Sequence, residues 1–72
     1  MVNVNKLRGI MKEKQISVEC LADKIGIDCS TLYRRLNDGG ETFTVKEVAK
    51  IVEVLELDIE TAMAVFFAPL VA

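Results

Sequence analysis

The 72-residue chain contains no histidine and no tryptophan, and it has only one tyrosine and one proline. Histidine is the side chain that most often transfers protons near neutral pH, so its absence removes the commonest acid–base catalyst. A chain this short also has too little material to enclose a substrate cleft. The sequence therefore argues against an enzyme, and neither a cofactor nor a small-molecule substrate is expected.

Cysteine is scarce too, since only Cys20 and Cys29 are present. Two cysteines are too few for a disulfide framework, and they lack the spacing of a zinc site. The longest apolar run, residues 62–72, is shorter than the roughly 20 residues that span a bilayer. Lys6 and Arg8 also interrupt the region where a signal peptide would begin. We expect a reduced cytosolic protein, with no metal and no membrane partner.

The chain has fewer basic than acidic residues, 9 against 11. Taken alone, the resulting net charge of −2 argues against nucleic acid as a partner. The charge is unevenly distributed, however. Residues 1–40 contain seven basic and five acidic side chains, a net of +2, whereas residues 41–72 contain two basic and six acidic ones, a net of −4. A basic half can present one positive face even when the whole chain is acidic.

What the sequence does contain is helical spacing, with hydrophobic residues recurring every three or four positions and no convincing strand alternation. Helix start signals occur at five places, and the strongest is the capping box formed by Thr44 and Glu47. The sequence thus predicts an all-α, five-helix domain that covers residues 1–72 without a linker. The expected N-caps are Asn3, Ser17, Asp28, Thr44 and Asp58.

The break between the second and third helices is only two residues long, Gly26 and Ile27. Such a short break forces two helices to meet at a steep angle, which is the geometry of a helix-turn-helix. Ala22 is small enough for the crossing, and Gly26 can adopt the left-handed conformation at the turn. The sequence therefore predicts a helix-turn-helix over residues 17–38.

Residues 17–39 resemble the DNA-binding unit of the phage-repressor or Cro/Xre-type helix-turn-helix family. The resemblance implies a compact lambda-repressor-like fold and a sequence-specific transcriptional regulator of phage or mobile-element type. It also implies double-stranded operator DNA as the partner, bound by a homodimer, and a location in the bacterial cytoplasm or nucleoid. The matching residues are Leu21, Ala22, Gly26, Ile27, Ser30, Thr31, Leu32 and Asn37.

A helical wheel centred on Leu32 separates the side chains of the third helix, the one that such proteins insert into the major groove. Arg34 lies on the outward face and can donate two hydrogen bonds to guanine, while Tyr33 can pack on a thymine methyl group or bond a phosphate. Arg35 points off this face, towards a phosphate or an acidic neighbour. The predicted base-reading residues are Ser30, Tyr33 and Arg34.

The phosphate contacts are assigned to the starts of helices and to the loop after the third helix. Among the basic residues of the first helix, Lys6 is the first choice because it lies near a helix start. The predicted contacts are Lys6, Ser17, Cys29, Arg35, Asn37, Gly39 and Gly40.

Cys29 allows two further interpretations, because it stands in the first turn of the third helix. The helix dipole could lower the pKa of its thiol and make it a redox sensor. Its position on the wheel favours a half-buried packing residue instead. Family members often carry glutamine at the position of Val18 and glutamine or arginine at the position of Cys29.

The apolar tail, residues 62–72, lacks the polar face of an ordinary amphipathic helix. One side can pack on the first and fourth helices, and the remainder predicts a dimer interface at Phe66, Phe67 and Leu70. The alternative is a tail that folds back on its own core. The fourth helix is expected to run to about Leu55-Glu56 and to bury Val45, Val48, Ala49, Ile51, Val52 and Leu55.

A second functional hypothesis stays open: a protein–protein interaction module, such as an antitoxin-like or phage adaptor protein, on the same fold. The net acidity and the residues Val18 and Cys29 favour it. Binding to duplex DNA that weakens steeply with salt would separate the two hypotheses.

Overall fold

A computed structural model describes residues 2–67, which comprise five α-helices and no strand. The order and number of the helices confirm the predicted all-α, five-helix architecture. Residues 68–72, and with them the predicted interface residue Leu70, lie outside the described part of the chain. The helices are α1 (Val4–Glu13), α2 (Val18–Ile25), α3 (Cys29–Asn37), α4 (Val45–Val54) and α5 (Ile59–Phe66).

All five predicted N-cap residues stand immediately before a helix. Four of them accept a hydrogen bond from the backbone N–H three residues later, as a cap should. Thr44 and Glu47 form the complete capping box. Asp28 is the exception, because its side chain makes no cap hydrogen bond. The four side chains that do cap are Asn3, Ser17, Thr44 and Asp58.

The first four helices all end in a Schellman motif, in which a left-handed residue is followed by an N–H that donates to the carbonyl five residues earlier. The left-handed residues are Gln15 (φ 58°), Gly26 (φ 81°), Gly39 (φ 79°) and Glu56 (φ 52°). The N–H···O distances are 2.8 Å for Ile16 to Met11, 3.0 Å for Ile27 to Ala22, 2.9 Å for Gly40 to Arg35 and 3.0 Å for Leu57 to Val52.

Glu56 pays a conformational penalty at its left-handed position, so Glu56→Gly should raise the free energy of unfolding by about 0.5–1 kcal/mol. The strain that a side chain suffers there, about 1–2 kcal/mol, outweighs the extra entropy of glycine in the unfolded chain. Urea denaturation followed by circular dichroism measures the change. Glu53→Gly is the control, because glycine inside α4 should destabilise by about 1 kcal/mol. A loss of stability in both variants would contradict the prediction.

One hydrophobic core joins the five helices, with α2 packed against α3 and α4 and with α1 packed against α5. The N-terminal segment closes this arrangement, because the Asn3 backbone N–H donates to the Val65 carbonyl at 2.6 Å. The buried core residues are Leu7, Met11, Leu21, Ala22, Ile25, Leu32, Leu36, Ile51, Leu55, Val65 and Phe66.

Two residues of α4 that were expected to be buried are exposed. Val45 is 87% exposed, and Ala49 is exposed as well. Ile51 and Leu55 define the buried stripe of this helix, and at about 100° per residue Val45 and Ala49 lie roughly 120° and 160° away from Ile51. The apolar residues of α4 are therefore too widely spread to fit one buried stripe.

Candidate nucleic-acid interface

The helix-turn-helix consists of α2 and α3, joined through the left-handed Gly26. Leu32 and Leu36 are buried and turn one side of α3 towards the core. Ile27, in the turn, is half-buried against the same core. The opposite side of α3 is exposed, and it carries the four residues that the helical wheel placed there: Ser30, Tyr33, Arg34 and Asn37.

Arg34 and its neighbour Arg35 have different surroundings. The Arg35 guanidinium lies 3.2 Å from a Glu47 carboxylate oxygen, and it donates to the Thr42 carbonyl at 2.5 Å. The other Glu47 oxygen accepts from the Thr44 N–H in the capping box. Arg35 thus forms an ion pair with an acidic neighbour, which was one of its two predicted partners. We therefore do not propose it as a phosphate contact. Within residues 2–67, the Arg34 side chain has no hydrogen bond or ion pair.

The predicted phosphate contacts at Gly39 and Gly40 need correction. Their backbone N–H groups already donate to the Leu36 carbonyl at 3.3 Å and the Arg35 carbonyl at 2.9 Å. Gly40 is also buried, and a Cβ added to it would lie 2.5 Å from the Cβ of Val2. Because both donors close the end of α3, neither glycine has an N–H to offer a phosphate.

Cys29 is half-buried and packs against the core, as the packing interpretation predicted. Burial raises the pKa of its thiol, and the negative charge of Glu19 raises it further. The direction of this shift is opposite to the one expected from the helix dipole, and it argues against a redox sensor at Cys29. A neutral thiol is a weak donor, and the phosphate contact at Cys29 stays a prediction.

Arg8 and Lys12 are the basic residues that α1 brings to the helix-turn-helix. They flank Ser17 and Val18 in a shallow cavity of about 180 Å³ at the start of α2. The Arg8 guanidinium also donates to the Asn37 side-chain oxygen at 3.3 Å. Lys6 lies about 200° from Arg8 around α1 and so on another side of the helix. The sequence analysis chose Lys6 because it lies near a helix start and so did not select Arg8 and Lys12. Only the packing of α1 decides which of its sides adjoins α2.

Glu19 is a second residue of this surface that sequence reasoning did not select. It is exposed in the first turn of α2, and one of its carboxylate oxygens accepts a hydrogen bond from the Tyr33 hydroxyl at 3.2 Å. This hydrogen bond and the carboxylate charge raise the pKa of Tyr33, while the positive charge of Arg8 lowers it. The opposite charges of Arg8 and Glu19 thus both act on the Tyr33 hydroxyl.

The predicted dimer residues Phe66 and Phe67 have opposite environments. Phe66 is only 4% exposed and packs edge-on against Phe43, with the ring centroids 6.4 Å apart, so it belongs to the core and not to an interface. Phe67 is 45% exposed. It lines an apolar cavity of about 330 Å³ together with Phe43, Val45 and Val48, among others.

Within residues 2–67, no helix has both the length and the apolar character needed to cross a membrane. The same part of the chain contains no group of three or more His, Cys, Asp or Glu side chains placed to hold a metal ion. A family model described as a Cro/C1-type HTH DNA-binding domain matches residues 6–66, which include α2 to α5 and all of α1 except its first two residues. No curated protein and no solved structure matches the chain.

Proposed function

Because the chain belongs to the Cro/C1-type HTH DNA-binding family, we propose that it is a sequence-specific transcriptional regulator of phage or mobile-element type. Its α3 enters the major groove of operator DNA, with Ser30, Tyr33 and Arg34 towards the bases. The observation that carries this proposal is that one side of α3 is held in the fold and the other is exposed. Leu32 and Leu36 are buried and Arg35 is held by Glu47, whereas the side with Arg34 is exposed.

Phosphate binding is assigned to the corner where α1, α2 and α3 meet. Arg8 and Lys12 supply positive charge there, and the start of α2 adds backbone N–H groups and the positive end of a helix dipole. The Ser17 hydroxyl accepts from the Cys20 N–H, so its own hydrogen can still be donated to a phosphate. Asn37 contributes a side-chain amide at the other end of α3. These contacts set the position of α3 on the duplex, and the base contacts supply the specificity.

The test is selection of binding sites from random duplex DNA, followed by titration of the enriched site at several salt concentrations. The proposal predicts one enriched motif and an affinity that falls with salt, with about 0.9 logarithmic units lost per decade of salt for each phosphate contacted. A chain that enriches no motif and does not bind duplex DNA at low salt would contradict it. That result would favour the protein–protein interaction module instead.

We further propose that the regulator binds as a homodimer, through a surface formed by Ile59 and Met63 on one side of α5, Phe67 directly after this helix, and Val45. This α5 surface is apolar and exposed, with Ile59 81% exposed. Val45 and Phe67 meet at the 330 Å³ cavity, so the exposed side chains of α4 and α5 are continuous there. Two-fold pairing through it would let two α3 helices read half-sites about 34–36 Å apart.

Met63→Glu should turn the dimer into a monomer, because the charge would be buried in an apolar contact. Sedimentation velocity over a range of concentrations measures the change, and a palindromic operator should lose cooperative binding in parallel. Met63→Leu, which keeps the apolar contact, is the control and should remain dimeric. A wild-type protein that stays monomeric even on operator DNA would contradict dimerisation, while leaving DNA binding by one copy intact.

A further inference from the structure

Glu19 and Tyr33 form a pair that links the two helices of the helix-turn-helix on its exposed side. Glu19 lies in the first turn of α2, and Tyr33 lies on the outward face of α3. The Tyr33 hydroxyl donates to a Glu19 carboxylate oxygen at 3.2 Å, across 14 positions of sequence. The pair therefore places a carboxylate beside the proposed base-reading residues.

The carboxylate of Glu19 is not neutralised by a basic side chain. No lysine or arginine within residues 2–67 lies in ion-pair distance of it, and the ion pair that this part of the chain does contain joins Arg35 to Glu47. The hydroxyl of Tyr33 occupies only one acceptor direction of a group that has about four. The carboxylate thus has one hydrogen-bond partner on α3 and can accept further hydrogen bonds.

We infer that Glu19 determines base specificity together with Tyr33, by accepting a hydrogen bond from the exocyclic amino group of cytosine in the major groove. The amino groups of cytosine and adenine are the hydrogen-bond donors that bases present there, and acidic side chains pair with the one on cytosine. The inference rests on the proposed DNA-reading function of α3. Tyr33 is the positioning residue, since its hydroxyl holds the carboxylate towards the reading side of α3.

The same carboxylate discriminates against wrong sequences. Where the base opposite Glu19 carries no amino group, the carboxylate has no new partner and lies close to a polyanion. Its charge then opposes binding, so non-cognate DNA is held more weakly than the cationic residues alone would hold it. Glu19 thus contributes to specificity by attraction at one base pair and by repulsion elsewhere.

Glu19→Gln is the decisive variant, because an amide oxygen can still accept from Tyr33 while the negative charge is lost. Glutamine pairs with adenine, so selection from random duplex DNA should shift the preference at one base pair from cytosine towards adenine. The ratio of cognate to scrambled-site affinity should fall about tenfold, mainly because scrambled DNA is bound more tightly. Tyr33→Phe, which removes the hydroxyl that holds Glu19, should broaden the preference at the same base pair.

Glu60→Gln is the matched control, because Glu60 occupies the same position in the first turn of α5 and its loss changes the net charge equally. Circular dichroism and urea midpoints establish that all three variants are folded. If Glu19→Gln selects the wild-type motif and binds scrambled DNA no better than Glu60→Gln does, the inference is overturned, although the regulator still reads DNA. If the wild type enriches no motif, the proposed function fails, and the inference fails with it.

Discussion

Gly40→Ala should lower the free energy of unfolding by about 2–5 kcal/mol, a large part of what a domain of this size possesses. Two costs add at this position. Gly40 has φ +75°, where a side chain costs about 1–2 kcal/mol. The new Cβ would also lie 2.5 Å from the Val2 Cβ and 2.9 Å from both of its γ carbons, and overpacking of this kind costs about 1–3 kcal/mol.

The neighbouring Gly39 separates the two costs. It has φ +79°, but a Cβ there would meet no atom within 4 Å, so Gly39→Ala should show the backbone cost alone. In the double variant Val2→Gly/Gly40→Ala the clashing side-chain atoms are gone, and Gly40→Ala should then cost about as much as Gly39→Ala does. Urea unfolding of the wild type, Val2→Gly, Gly40→Ala and the double variant forms a double-mutant cycle. Equal losses of stability in Gly39→Ala and Gly40→Ala would show that Val2 does not restrain the end of α3.

The helices and their ends could be predicted because their signals lie within a few residues of one another. The capping box joins Thr44 to Glu47, and the break at Gly26 stops α2 through a glycine that the backbone requires there. Such local hydrogen bonds do not depend on the rest of the fold. Gln15 and Glu56 show the limit of this reasoning, because they adopt the same left-handed conformation without the glycine that signals it.

Burial in α4 and α5 could not be read from hydrophobicity alone, since most of their residues are apolar. Phe66 and Phe67 are identical and adjacent, yet Phe66 packs on Phe43 in the core while Phe67 is half exposed. Val45 is apolar and almost fully exposed. Which apolar side chain is buried depends on how the neighbouring helices approach, and that is a tertiary property.

The sequence predicted which side chains of α3 face outwards, but not which residues pair with the charged side chains of the site. The helical wheel placed Arg34 outwards and turned Arg35 away, because that distinction depends only on the spacing from Leu32. The ion pair of Arg35 with Glu47 and the contact of Arg8 with Asn37 span 12 and 29 positions of sequence, and no local pattern announces them. Long-range packing decides which charges remain available to a ligand.

Arg34→Ala should weaken operator binding by about 1–3 kcal/mol and should relax the preference at one base pair, which is roughly a 5- to 150-fold loss of affinity. Arg34 is the arginine of α3 that is exposed, whereas Arg35 is held in the fold. Its planar fork can donate two hydrogen bonds to O6 and N7 of guanine, the commonest base-specific contact in the major groove. The affinity for scrambled DNA should change much less, so the loss appears mainly in the specificity ratio.

Two further variants distinguish base reading by Arg34 from simple attraction to phosphate. Arg34→Lys keeps the charge but loses the planar two-donor geometry, so it should retain the salt dependence of binding and lose the preference for guanine. Lys50→Ala removes one exposed positive charge from α4, in the acidic half of the chain, and should leave the selected motif unchanged. Fluorescence anisotropy at several salt concentrations, with cognate and scrambled duplexes, measures both quantities. If Arg34→Lys retains full affinity and selects the wild-type motif, then Arg34 contacts a phosphate. The specificity of α3 must in that case come from Ser30 and from the pair of Tyr33 with Glu19.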